Sequence, residues 1–328
     1  MSAFNNVAIP SGLKSRHAQV QVWFDDGRAI SDADVRSTYE KTKRASVLEC
    51  VMPGAGETAH MEYVIATMGA TMGDISDGAM PVYTPGAASV ESKAKPEGFI
   101  LAVHHSDLRD DRFGIIKASI NKLALRATNW QYQKIAESLP LGLTKLTVDG
   151  KAFFATDHHV NLRNANNGSF SNKLTLALTD DNFATAYASF QDIKFDDGRP
   201  DHSNVPDTLI VSSHLSSTAE KILALPTIFG GAANPNLDKC RIVRVPEWNT
   251  LDGGAYKTAW ILARTGSSLI KPFIWNEREK PSLNYIGAVP GGNGNPALPL
   301  PGMYHQWMVY GESALAFYEP RYALWSKP

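Results

Sequence analysis

The stretch DDRFGIIKASINKLALRATNWQYQKIAESL, Asp110 to Leu139, decides how the rest of this 328-residue chain is read. It contains no proline, and apolar side chains recur at Phe113, Ile116, Ile120, Leu123, Ala127 and Trp130. Steps of three and four residues trace one stripe along an α-helix, because a turn takes 3.6 residues. Asp110 and Asp111 stand where carboxylates favour the positive end of the helix dipole. Pro140 and Gly142 end the run. At ~1.5 Å per residue the helix is a rod of roughly 43 Å. The competing reading is two shorter helices, broken at Gly114 or Asn129.

Upstream, Met61–Ala66 and Gly98–Val103 read as strands. The Gly-, Met-, Asp- and Pro-rich stretch Gly69 to Gly86 between them is long for a connection inside a compact domain, which suggests a hairpin projecting from the body. Further back, Ser31 and Asp34 have capping-box spacing and predict a helix from Asp32 to Ala45. Its basic end, Lys41, Lys43 and Arg44, suits a helix C-terminus. The first 50 residues hold seven Lys/Arg and six Asp/Glu, so this triplet reads as a solvated helix end rather than a nucleic-acid site.

Downstream, Leu146–Val148 and Ala152–Phe154 flank a turn at Asp149-Gly150, and a polar loop from Asn161 to Asn172 follows. Residues 173–265 alternate helix and strand. Asp180-Asp181 caps a helix to Gln191, Thr208–Val211 is a strand, Ser213–Leu225 a helix, and Arg241–Val245 and Lys257–Leu262 are strands. Leu269–Trp275 begins a return to β-structure, interrupted by a loop from Gly287 to Gly302. From Trp307 to Trp325 the chain reads as extended. Trp307, Val309, Leu315 and Phe317 share one face, and Pro320 marks a bulge or edge.

Composition narrows the function. Thirty-two Lys/Arg against 33 Asp/Glu leave a net charge of −1, which does not hold nucleic acid by bulk charge. Cys50 and Cys240 are the only cysteines, too few for a disulfide scaffold or a zinc cluster. No signal peptide or apolar run of membrane-spanning length is visible, so the chain is expected to be soluble and intracellular.

Candidate chemistry is thin. His104-His105 and Asp157-His158-His159 are residue types that hold metals. On a strand, however, His104 and His105 point to opposite faces, and a site would need ligands from both groups, with His202 a further candidate. Gly54-Ala55-Gly56-Glu57-Thr58 lacks the lysine of a phosphate-binding loop. No Ser nucleophile elbow occurs. The expectation is no catalytic, cofactor-binding or metal-binding residues, and no cofactor. The enzymatic alternative is a metal-dependent hydrolase using His104, Asp157, His158 and His159.

The order of elements resembles the HK97-fold major capsid proteins of tailed phages, and most closely the Mu-type major head subunits. Asp110–Ile115 resembles that family's D-D-x-x-G opening of the spine helix. Gly150–Phe154 with His158 resembles its G-x-x-F-F-x-x-x-H segment, and Asp207–Val211 its P-x-x-L-V-V segment. Lys271–Arg278 resembles its K-P-x-I-x-Q-x-R strand, with Asn276 in place of Gln, and Glu312–Pro320 its E-x-x-L-A-x-x-x-P ending.

The resemblance implies an α+β, HK97-like fold. Residues 1–57 would be an N-terminal arm and 58–106 an extended hairpin, the E-loop. Residues 107–172 and 266–328 would be a peripheral domain with the spine helix at 110–139, and 173–265 an α/β axial domain. It implies a shell protein without enzymatic activity, with His158 in a structural loop. Copies would assemble as hexamers and pentamers into an icosahedral virion head in the host bacterial cytoplasm, around packaged double-stranded DNA. Portal, scaffolding protein, maturation protease and a cement protein are implied partners, and a membrane is not. The alternative within this class is an encapsulin-like nanocompartment.

Overall fold

The computed structural model describes residues 11–42, 45–54, 56, 60–67, 86–110, 114–161, 164–196, 198–199, 201–227, 231–267, 270–290 and 303–328. They belong to two compact units. One comprises Met1–Lys41, Ala94–Tyr132 and Glu277–Ser313, the other Thr42–Lys93, Gln133–Asn276 and Ala314–Pro328. In chain order the elements begin with α1 (Ser11–Thr42), β1 (Val51–Pro53), β2 (His60–Thr67), β3 (Gly86–Lys93), β4 (Lys95–His104), α2 (His105–Arg109) and α3 (Ile115–Ser138). Then come β5 (His158–Asn161), β6 (Asn164–Phe170), β7 (Lys173–Leu174), α4 (Asp180–Gln191), β8 (Thr208–Ser212), α5 (Ser216–Leu223), β9 (Arg241–Val245) and β10 (Trp260–Ala263). The chain closes with β11 (Phe273–Pro290), β12 (Met303–Phe317) and β13 (Ala323–Ser326).

In the first unit, β12 lies between β4 and β11, and β4 pairs antiparallel with β12 from Lys95↔Ser313 to His104↔Tyr304. α1, α2 and α3 pack their apolar stripes with these strands. Val20, Phe24, Leu108, Ile116, Ile120, Ala124 and Ala127 meet Leu283, Trp307 and Val309. Each large side chain so buried contributes ~1.5–3 kcal/mol relative to exposure. The stripe expected on α3 is thus the packing face, except that Phe113 lies outside the described residues.

Two helix boundaries differ from expectation. α1 spans 32 residues and does not start at Ser31, whose side chain is buried inside it. The reason is tertiary. Val20, Phe24, Gly27 and Ser31 follow a four-three-four spacing that seats α1 against α3, and a Cβ at Gly27 would come within 2.9 Å of the Ala124 Cβ. Burial of that stripe outweighs the capping signal. α3 begins only at Ile115, because Gly114 has φ of +64°, outside the helical region. The one-turn α2 precedes the break, and the helix is continuous through Asn129.

The second unit holds a five-stranded sheet in the order β7-β13-β10-β8-β9. β8 and β9 run parallel across α5, while β10 runs antiparallel to both β8 and β13. Phe183 and Phe190 of α4, Ala219 and Ile222 of α5, Leu209, Val211, Trp260, Leu262 and Leu324 form one core. α4 occupies the expected span, but its cap is the Thr179 hydroxyl, which accepts from the Asn182 N–H. A second aromatic cluster joins Phe153 to Phe273 and Phe317, and Phe154 to Trp325. Gly142 lies against it, since an added Cβ would sit 2.7 Å from Phe154 and 2.9 Å from Phe317.

Other corrections are local. The polar segment 161–172 contains β6, which pairs with β5, so His158 and His159 lie on a strand and not in a loop. β11 continues to Pro290, into the segment expected to be a loop, whose residues 291–302 lie outside those described. The closing stretch is not one strand. β12 ends at Phe317, Pro320 opens a tight turn, and β13 enters the sheet of the 173–265 segment. The alternate face holds at Trp307 and Val309, then slips, leaving Leu315 only half-buried.

Candidate functional site

Two features stand out: a ribbon short of core, and histidines with unexpected partners. β2 and β3 pair antiparallel from His60↔Lys93 to Thr67↔Gly86, with no third strand among the described residues, so the strand opposite Met61–Ala66 is not the expected Gly98–Val103, which lies in β4 and pairs with β12. Alternation turns Ile65 and Val90 inward against Val148 and Tyr318. The Tyr318 hydroxyl donates to the Val64 carbonyl at 2.8 Å. A small apolar anchor therefore exists at the base of the ribbon. Val64 itself is 58% exposed. His60 meets Glu91 at 2.6 Å on the outer face. A two-stranded ribbon with this little apolar burial is marginal in water by itself. Most of the expected tip, Gly69 to Gly86, lies outside the described residues.

Three of the expected metal-type residues, His104, Asp157 and His158, have hydrogen-bond or ion-pair partners. His104 Nδ1 lies 2.6 Å from the Ser106 hydroxyl. Asp157 pairs with Lys151. His159 sits opposite Ser169 in the β5–β6 ribbon, and His202 lies in a turn. His158 is fully buried and stacks on Phe170. Its Nδ1 meets Asp149 Oδ2 at 2.6 Å and its Nε2 meets the Phe153 carbonyl at 3.0 Å. A carbonyl and a carboxylate can only accept, so each ring nitrogen faces an acceptor. Burial by itself would raise the Asp149 pKa. Hydrogen bonds from His158 and Thr147 overcome it and hold the carboxyl well below the usual range. Among the described residues, no three His, Cys, Asp or Glu side chains are placed to hold a metal.

Sequence reading missed His305. Its Nε2 lies 3.0 Å from His105 Nδ1, and its Nδ1 lies 3.0 Å from the Tyr285 hydroxyl. Burial, with His105 beside it, lowers its pKa. No spacing rule joins positions 105 and 305; the β4–β12 register does, by pairing His104 with Tyr304. Cys50 and Cys240 are buried and free, and burial pushes both thiols up to about 12, leaving neither a reactive thiolate. No described helix is long and apolar enough to cross a membrane.

Comparison with known proteins gives a consistent result. The family model for the Mu-like prophage major head subunit gpT matches residues 98–177 and 174–249. No curated protein matches the sequence. Among solved structures, the procapsid of bacteriophage JBD30 is similar, with 17% identity over 98% of this chain and 76% of that chain and a TM-score of 0.50. A structure from Microbacterium phage Oxtober96 shares 12% identity over 87% of this chain and 91% of that one, with a TM-score of 0.52. The bacteriophage JBD30 capsid shares 18% identity over 63% and 91%, with a TM-score of 0.50. At these identities the structures establish the fold, and the family match bears on the role.

Proposed function

We propose that this chain, a phage major capsid protein with the HK97 fold, assembles as hexamers and pentamers into an icosahedral head. The observation that carries the reading is the β2–β3 ribbon. It extends eight paired residues on an anchor of two buried apolar side chains, so a neighbouring copy is the natural source of its remaining burial.

The proposed division follows the family plan. Residues 1–57 form an arm, 58–106 the hairpin, 107–172 and 266–328 the peripheral domain, and 173–265 the axial domain, to which β13 is lent. The head would close around double-stranded DNA in the host cytoplasm, with portal, scaffolding protein, maturation protease and cement protein as partners. The role is structural. His104, Asp157 and His158 are engaged in local hydrogen bonds and ion pairs, and nothing supports the hydrolase or nanocompartment readings.

The test is negative-stain microscopy of the full expressed chain over a range of concentrations. Closed shells or capsomers are expected; particles that stay single at every concentration would overturn the proposal.

A further inference from the structure

α2 is a five-residue helix, too short to stand by itself in water. Two of its side chains fasten it to the first unit. Leu108 is buried in a core with Ile116, Ile120 and Trp307. His105 reaches β12, where its Nδ1 lies 3.0 Å from His305 Nε2. α2 also borders a cavity of about 570 Å³, lined by Leu101 and Val103 of β4, Asp107 of α2 itself, Ile116 and Ser119 of α3, and Tyr304. With φ of +64° at Gly114, α2 is no continuation of α3, so it can shift without unwinding that helix.

His305 differs from His158 in what faces it. His158 meets a carboxylate. His305 is 3% exposed, and the titratable groups in contact with it are His105 from α2 and the Tyr285 hydroxyl from β11. From β4, Val103 stands opposite it, and the His104 ring turns to Tyr304. From α1 and α3, the adjoining core presents Val20 and Ile116, and the Lys117 ammonium lies over the Trp23 ring. Asp107 of α2 lines the cavity. Burial and then His105 disfavour a charge on His305, and among the described residues no carboxylate offsets them. The gap between the two ring nitrogens holds one hydrogen, so one donates and the other accepts. A proton gained by His305 leaves a charged ring with no facing anion and little water, which is a costly state. Opening the His105 contact hydrates that ring, and α2 is what moves with His105.

From this geometry we infer that the His105–His305 contact is a proton-operated latch, which holds α2 on the strands at neutral pH and releases it in acid before the rest of the subunit unfolds. The inference concerns one subunit and stands apart from how copies assemble.

The test is amide hydrogen exchange of the full chain at about pH 7.5 and about pH 5.5, corrected for the intrinsic pH dependence of exchange. Peptides covering 104–119 are expected to lose protection by about tenfold at the lower pH, while peptides covering β8 keep theirs. His305→Phe, which fills the site with a ring that takes no proton, should keep 104–119 protected at both pH values. His105→Ala, which cuts the latch from the less buried side, should leave that segment fast-exchanging at both. Circular dichroism checks that each variant is folded. If His305→Phe does not fold, the parent chain and His105→Ala still decide the matter. Equal protection of 104–119 at the two pH values in the parent chain would overturn the latch. So would a parent-like acid response in folded His305→Phe, or slow exchange at neutral pH in His105→Ala. Loss of protection in β8 to the same extent would also overturn it, in favour of acid unfolding of the whole subunit.

Discussion

Asp149 Oδ2 accepts a hydrogen bond from His158 Nδ1 at 2.6 Å, with both side chains shut off from solvent. The pair ties the turn after Val148 to β5, and His158 Nε2 carries the tie on to the Phe153 carbonyl. Removing His158 leaves the Asp149 carboxylate buried without its partner, and removing the Asp149 charge leaves His158 Nδ1 without its ionic acceptor. His158→Ala and Asp149→Asn are each expected to cost ~3–5 kcal/mol in urea unfolding of the subunit. A loss below ~1 kcal/mol would mean the pair contributes little.

The same pair sets an acid limit. Asp149 has a folded pKa below that of the unfolded chain, so the unfolded state binds more protons near pH 4. Its stabilisation is present above about pH 4 and is lost as the pH falls further. Melting temperature against pH should drop less steeply below about pH 4 in Asp149→Asn than in the parent chain. EDTA should leave the melt unchanged, and a chelator-sensitive melt abolished by His158→Ala would reinstate a metal at this site.

His305 predicts a second, milder pH step. Burial and His105 depress its folded pKa, so the neutral form is favoured in the fold. Stability is then complete above about pH 6.5 and declines as the pH falls and His305 takes up a proton 3.0 Å from the His105 ring. Tyr285 is a second titratable group in contact with it. His305→Gln should flatten melting temperature between about pH 5 and 7; an unchanged slope would assign the step elsewhere.

Ile120 is fully buried at the centre of the α1–α3 packing. Ile120→Asp should cost several kcal/mol and yield insoluble or unfolded chain, whereas Gln133→Asp on the exposed side of α3 should stay within about 0.5 kcal/mol. Soluble, assembly-competent Ile120→Asp would show that the stripe is not the packing face.

The ribbon is tested by shortening it. Replacing residues 69–86 with a short Gly-Ser link should preserve the subunit's melt, because the anchor at Ile65, Val90 and Tyr318 remains. Microscopy should then show capsomers or single subunits, and normal closed shells would separate the ribbon from assembly.

Residues whose fate depends on near neighbours in the chain are legible from the amino-acid order. The α3 stripe, the span of α4, the strands around Thr208 and Arg241, and the stop at Pro140 all follow from period, capping and chain stiffness. Misreadings arise where distant packing overrules a local signal. Ser31 looks like a helix cap, yet the Val20–Phe24–Gly27–Ser31 stripe carries α1 past it because α3 supplies the surface to bury it. The Asn161–Asn172 stretch looks like a loop, yet β6 forms there against β5, because pairing satisfies backbone groups whatever the side chains.

The sequence by itself determined the α+β class, the long helix, the first strand of the ribbon and the order of elements that resembles a phage head subunit, because period and chain order are local properties. Tertiary structure alone decided that His158 is a buried partner of Asp149, that His305 meets His105 across 200 residues, and that β13 enters a sheet built mostly from earlier strands. Side-chain role is a property of surroundings. A histidine has the same letters as ligand, catalyst or buried cation, and only the groups that face it, and the water kept from it, choose among them.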